Sequence, residues 1–185
     1  PSIANGELTD IAARNGPAAA LIEGFRRSGP DCLSLIHGSF ALALVDQDRD
    51  EVLLAIDRMG VCNLVYALTP QGVLFASNAA SIRPHPWAST TPDWQSIYDY
   101  VHFHTVPGPQ TAFADERRLL PGQYLHLRSG TPRLAHYWQM RFIEDRPRPF
   151  AELRAEFLSL LTDAVASRLT GEAAGAFLSG GTDSS

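Results

Sequence analysis

Four short apolar runs follow one another between residues 39 and 77: SFALALV (39–45), EVLLAI (51–56), NLVYAL (63–68) and GVLFAS (72–77). Polar turn residues cut them apart: DQDRD, DRMG and TPQG. Runs of this length with such short connections read as antiparallel strands in a meander. They are apolar enough to be buried on both faces, which predicts a layered sandwich covered by helices.

The flanking segments supply those helices. GPAAALIEGFRRSG reads as a helix from about Pro17 to near Gly29, and TPDWQSIYDYVHF as another, with Thr91 or Asp93 near its cap and Pro92 in its first turn. GQYLHLRSGTPRLAHYW reads as a hairpin about Ser129-Gly130, and the opening PSIANGELTD as an apolar lead into an Asn5-Gly6 turn. IEDRPRPF (143–150) is charged and proline-rich, a linker. Beyond it Phe150, Leu153, Phe157, Leu160, Leu161, Ala164 and Val165 recur at helical spacing, predicting a helix closed by Gly171. GAFL then reads as a short strand. The expected organisation is a domain over 1–142, a linker over 143–149 and the opening of a second domain over 150–185.

Composition narrows the functional classes. The 185 residues carry a formal net charge of −5, so there is no basic footprint for nucleic acid. No apolar run approaches the ~20 residues of a membrane span. The two cysteines, Cys32 and Cys62, make no disulfide framework, and a reducing cytoplasm is the default compartment. Neither bears a free α-amine, and both read as structural thiols. His102 and His104 have no third ligand placed nearby. Asp46, Asp48 and Asp50 alternate as in a calcium loop, but the glycine and terminal glutamate of such a loop are missing, so they read as a turn. Trp94, Tyr98, Tyr100 and Phe103 read as core and interface aromatics.

The chain stops on LSGGTDSS, directly after the apolar GAFL. Two glycines let a backbone approach oxygen atoms, and their N–H groups with the hydroxyls can face an anion. A helix starting near Asp183 would add its dipole. The lysine of the common G-x-x-x-x-G-K-[ST] loop is absent.

LSGGTDSS resembles the pyrophosphate-binding loop of the asparagine synthetase superfamily, and the likeness extends along the chain. IANGELTD resembles that family's NGEIYN. GPDCLSLIHGSFALALVD, AIDRMGVCNLVYA, VLFASN, VPGPQTAFADERRLLPGQYL and HYW follow its further motifs in order. The resemblance implies an α+β fold: a four-layer αββα N-terminal-nucleophile (class II glutamine amidotransferase-like) domain, then the first helix and strand of an α/β ATP-pyrophosphatase-type synthetase domain. It further implies that the chain is an interior piece of a longer cytoplasmic enzyme. In that enzyme glutamine-derived ammonia meets an adenylated carboxylate, aspartate giving asparagine, with ATP and Mg2+ as cofactors and homodimers allowed.

The resemblance carries roles onto single residues. Asn5 (side chain) and Gly6 (backbone N–H) become the oxyanion hole, and Glu7 lies beside the substrate. Ser179, Gly180, Gly181, Asp183 and Ser184 hold the pyrophosphate, Asp183 also acting through magnesium. The family's nucleophile is an N-terminal cysteine whose own amine is the base; this chain begins at Pro1. Pro17 stands at the position of a substrate-binding Asp, Cys62-Asn63 replaces a Lys-Pro pair, and Asn78 replaces a Glu. An alternative therefore stands beside the first reading: a β-lactam synthetase- or lasso-cyclase-type enzyme whose glutaminase-like domain is a non-catalytic scaffold.

Overall fold

A computed structural model, describing residues 2–144, 147–169, 171, 175 and 179–182, places the four apolar runs in strands but divides them between two sheets. The chain forms two compact units, Pro1–Met140 and Arg141–Ser185. In the first, β1 (Ser2–Ile3) leads into helices α1 (Gly6–Asn15) and α2 (Pro17–Ser28), a 3-10 segment (Gly29–Leu35) and β2 (Ile36–His37). Strands β3 (Ala41–Asp46), β4 (Glu51–Ile56), β5 (Val65–Thr69) and β6 (Gly72–Ala76) follow. After them come α3 (Ala79–Ile82), α4 (Trp94–Phe103), β7 (Glu116–Arg118), β8 (Gln123–Arg128) and β9 (Thr131–His136).

One sheet has the order β3-β4-β8-β9, the other β6-β5-β7, and every pairing within them is antiparallel. β4 shows why its sequence is apolar after Glu51. Leu53 and Ala55 face Phe25, Cys32 and Leu33 of the helical segment, while Leu54 and Ile56 face Leu64, Tyr66 and Leu119 around the second sheet. Successive side chains of a strand point to opposite faces, so the part of a strand that lies between two cores is apolar on both. The hairpin at Ser129-Gly130 stands as expected; both residues have positive φ (47° and 75°), as a two-residue primed turn requires.

The expected single meander is corrected here. β4 pairs with β8 and β5 with β7, so the run breaks across residues 57–64. The cause is Asp57, only 2% exposed. Its carboxylate accepts N–H groups from Phe40 (3.4 Å), Met59 (3.1 Å), Val61 (3.0 Å) and Cys62 (2.9 Å). The chain wraps around this acceptor and leaves toward the second sheet. Cys62 accordingly sits in that turn, three residues before β5 starts.

Other expectations shift for local reasons. Asn5-Gly6 is no turn but the start of α1. Pro92 precedes the first turn of α4, whose cap is Asp93, accepting from Gln95 (3.1 Å) and Ser96 (3.2 Å). The α4 aromatics are not core: Trp94, Tyr98, Tyr100 and Phe103 are all exposed. Asp46 makes the β3–β4 turn, accepting N–H groups from Asp48 (3.1 Å) and Arg49 (3.2 Å). In the second unit, α5 (Phe150–Ala166) ends before Gly171, because Arg168 N–H bonds Val165 in a tightened last turn (3.0 Å). Of GAFL only Gly175 lies among the described residues.

Burial alone raises the Asp57 pKa, but the Cys62, Val61, Met59 and Phe40 N–H groups outweigh it and hold the carboxyl below its ordinary value. A lowered native pKa contributes stability that is complete above the unfolded value of about 3.9 and is lost as pH falls through the native value. Asp57→Ala is expected to cost about 3–5 kcal/mol in urea unfolding at pH 7, with the gap from wild type narrowing in acid below about pH 4. Gly122 gives a second test. Its φ is +68° and an added Cβ would lie 2.3 Å from the Trp138 carbonyl oxygen. Gly122→Ala is expected to lose about 3 kcal/mol in the same measurement.

Candidate functional site

Asn5, Gly6 and Glu7 occupy a strand-to-helix corner. The pairings Ser2 with His37 and Ile3 with Ile36 fix its approach, together with a bond from the Ala4 N–H to the Leu35 carbonyl (2.8 Å). The Thr9 hydroxyl lies within reach of the Ile3 (2.9 Å) and Asn5 (2.8 Å) carbonyls, bracing the corner from the next turn. Asn5 has extended backbone angles (φ −154°, ψ 120°), and its Oδ1 accepts the Leu8 N–H at 3.2 Å. This is the geometry of an N-cap.

The cap uses only the carbonyl half of the amide. The Nδ2 donor is left over, as are the N–H groups of Gly6 and Glu7, which the first turn of a helix leaves without an intrahelical acceptor. All three residues are exposed and stand at the positive end of the α1 dipole. Gly6 has no positive φ, and a Cβ placed there meets nothing within 4 Å. Neither packing nor backbone conformation requires glycine at that position. Chemically, the corner can present several N–H donors to one oxyanion.

Glu7 is engaged by a residue the sequence reading did not single out. Arg27 donates to it from Nη1 and Nη2 (2.7 and 2.8 Å), and its Nε donates to Glu23 (2.6 Å). The hydrogen bonds to Arg27, and then its charge, hold the Glu7 carboxyl below its ordinary pKa. The i,i+4 spacing of Glu23 and Arg27 was visible in sequence. The contact with Glu7, 20 positions away, arises because α1 and α2 pack antiparallel.

The same packing sends Pro17 elsewhere. It is the first residue of α2, after Gly16 with φ +88°. The ten-residue α1 separates it from Asn5 by about 15 Å at 1.5 Å per residue. Asn63 and Asn78, the other departures, do structural work: Asn63 donates to the Ser77 carbonyl (2.9 Å), and Asn78 caps α3 by accepting from Ser81 (3.0 Å). The Cys32 thiol is buried, and burial with nearby Asp31 pushes its pKa to about 11. It is therefore a poor thiolate source at neutral pH.

In the second unit Ser179, Gly180 and Gly181 are exposed; Gly180 has φ +71°, and the Gly181 N–H donates to Ser179 Oγ at 3.2 Å. Asp183 and Ser184 lie outside the described residues. Among the described residues no group of three or more His, Cys, Asp or Glu side chains is gathered as a metal site. His104 ends α4 in the left-handed conformation, and His102 stacks on Tyr98.

Comparison with known proteins places this geometry in context. A provisionally named asparagine synthetase (glutamine-hydrolyzing) of Mycobacterium tuberculosis is 28% identical over 94% of the chain. Asparagine synthetase (glutamine-hydrolyzing) 3 of Bacillus subtilis is 27% identical over 93%. Amidase chry2 of Gibberella zeae is 28% identical over 100%. The chain spans only 28% of the length of the first two and 29% of the third. Residues 14–138, well over half of the chain and including the α2 helix and both larger sheets, match the glutamine amidotransferase domain family, and to that family the chain belongs.

Proposed function

We propose that the chain is the glutaminase-side portion of an ATP-dependent amidotransferase of the asparagine synthetase type, in which ammonia from glutamine is passed to an activated carboxylate, aspartate giving asparagine. The observation that carries this reading is the Asn5-Gly6 corner. Its cap locks Oδ1 inward and leaves Nδ2 and the first-turn N–H groups free for the oxyanion of a tetrahedral intermediate. The names of the relatives support the same chemistry. Glu7, held by Arg27, lies beside that position as a substrate contact. Helices on one face of the four-stranded sheet, the three-stranded sheet on the other, and α3 against β5 and β6 support a four-layer αββα N-terminal-nucleophile arrangement.

In the same reading residues 150–185 open a synthetase domain. Ser179, Gly180 and Gly181, with Asp183 and Ser184, would hold the pyrophosphate part of ATP. Gly180, with its positive φ and open space around it, suits a close approach of phosphate oxygens. Bound Mg-ATP would supply the activation of the carboxylate. The enzyme would work in the cytoplasm on small molecules, as a homodimer or alone; no helix among the described residues is long and apolar enough to cross a membrane.

A second reading is favoured by the place of Pro17. A side chain at that position, a helix length from Asn5, does not reach the corner. The domain would then be a scaffold on an amide-forming cyclase.

Asn5→Asp separates the two readings in the longer protein. Aspartate keeps the cap and removes the Nδ2 donor. Glutamine-dependent amide formation is expected to fall about 10²–10³-fold while ammonia-dependent formation stays unchanged. Glutamine-dependent turnover absent from the wild type supports the scaffold, and turnover that the substitution leaves unaffected removes Asn5 from the oxyanion role. The 185-residue chain itself is expected to release no ammonia from glutamine. Release abolished by Cys62→Ala would show a nucleophile where none is assigned.

A further inference from the structure

The helix-covered face of the four-stranded sheet is apolar at one end and charged at the other. Leu44, Leu53 and Tyr124 meet Phe25 in the core. One step along the strands the same face carries Glu51, His126, Arg128 and Arg133, and here α2 and the 3-10 segment no longer fill the space. A cavity of about 540 Å3 opens between them, lined also by Arg26 and Arg49. That volume is in the range of small-molecule sites.

The walls are strongly cationic. Four arginines face one carboxylate, on a chain whose net charge is −5. Glu51, 5% exposed, is satisfied by Arg128 Nε at 2.9 Å. Arg49 lies 3.9 Å from Asp46, a loose pair. Arg26 and Arg133 have no acidic partner among the described residues. The negative end of α2 is offset by Arg26 and Arg27 in its own last turn. At the floor, His126 stands edge-on to Phe25, and its buried Nε2 has no hydrogen-bond partner. Glu51 Oε2 is 3.9 Å away, beyond hydrogen-bond distance. A buried polar atom left open beside a cationic cavity is where a ligand atom belongs.

We propose that this cavity binds a small phosphate-class anion, separately from the Asn5-Gly6 corner. A carboxylate presents two coplanar oxygens that one guanidinium fork satisfies. Here the guanidinium groups enter from four different stretches of backbone: α2, the β3–β4 turn, β8 and β9. That spread suits the non-planar oxygens and double charge of a phosphate or pyrophosphate group, with one oxygen accepting from His126 Nε2.

Calorimetric titration of the chain with inorganic pyrophosphate at low salt tests the proposal, with citrate as the carboxylate control. Saturable pyrophosphate binding is expected, weakened about tenfold or more by Arg26→Ala with Arg133→Ala. Arg133→Lys, which keeps the charge and loses the fork, should give an intermediate loss, and Arg14→Ala, outside the cavity, none. Nuclear magnetic resonance should show the His126 ring signals shifting with saturation. Absent or non-saturable binding overturns the site. So does binding that the double variant leaves intact while circular dichroism shows it folded, or an equal loss in Arg14→Ala. Citrate binding as tight as pyrophosphate overturns the phosphate assignment.

Discussion

The carboxylate of Asp57 lies at the point where the two sheets separate, and four backbone N–H groups converge on it. Its main chain extends the junction: the N–H donates to the Phe40 carbonyl (3.0 Å), and the carbonyl accepts from Gly60 (3.1 Å) and Gly122 (3.0 Å). One residue thus joins the entry to β3, the turn toward β5 and the entry to β8. The Tyr137 hydroxyl closes the same region on the Ile56 carbonyl (2.8 Å). A buried charge without a cation is tolerated only where donors are aimed at it, and here the donors are peptide groups that would otherwise be orphaned.

Glu116 shows what happens without that arrangement. It is as deeply buried, yet Oε1 has no partner and Oε2 has only the Thr111 hydroxyl at 3.4 Å. Burial therefore dominates and raises its pKa, against smaller effects of Thr111 and Arg83. The two carboxyls shift in opposite directions in similar surroundings; the number of N–H donors decides the sign. Glu7 is a third case, set by Arg27 in the open, where water screens the pair. Its value is positional: it ties the start of α1 to the end of α2 and so orients the corner that carries Asn5.

Much of the fold was legible. The strand runs, the Ser129-Gly130 hairpin, α2 and α4 follow from local apolar spacing and turn chemistry. Misreadings came where a residue has two local uses. Asn5-Gly6 is a strong turn signal and an equally good helix start, and the helix won because Leu8, its N–H capped, buries itself against α2 near Gly24. The aromatics of α4 have the composition of a core but face outward. Of the candidate site, Asn5, Gly6 and Glu7 were visible in sequence, and Arg27 and the cavity at His126 were not.

The sequence by itself determined the strand runs of β3 to β6, the Ser129-Gly130 hairpin and the helices α2, α4 and α5. These are local matters of side-chain period, φ preference and capping, settled within a few residues. Tertiary structure alone decided that β4 pairs with β8 and not β5, that Arg27 reaches Glu7, and that four arginines share one cavity. Those outcomes depend on which distant surfaces exclude water together, and no local pattern encodes that choice.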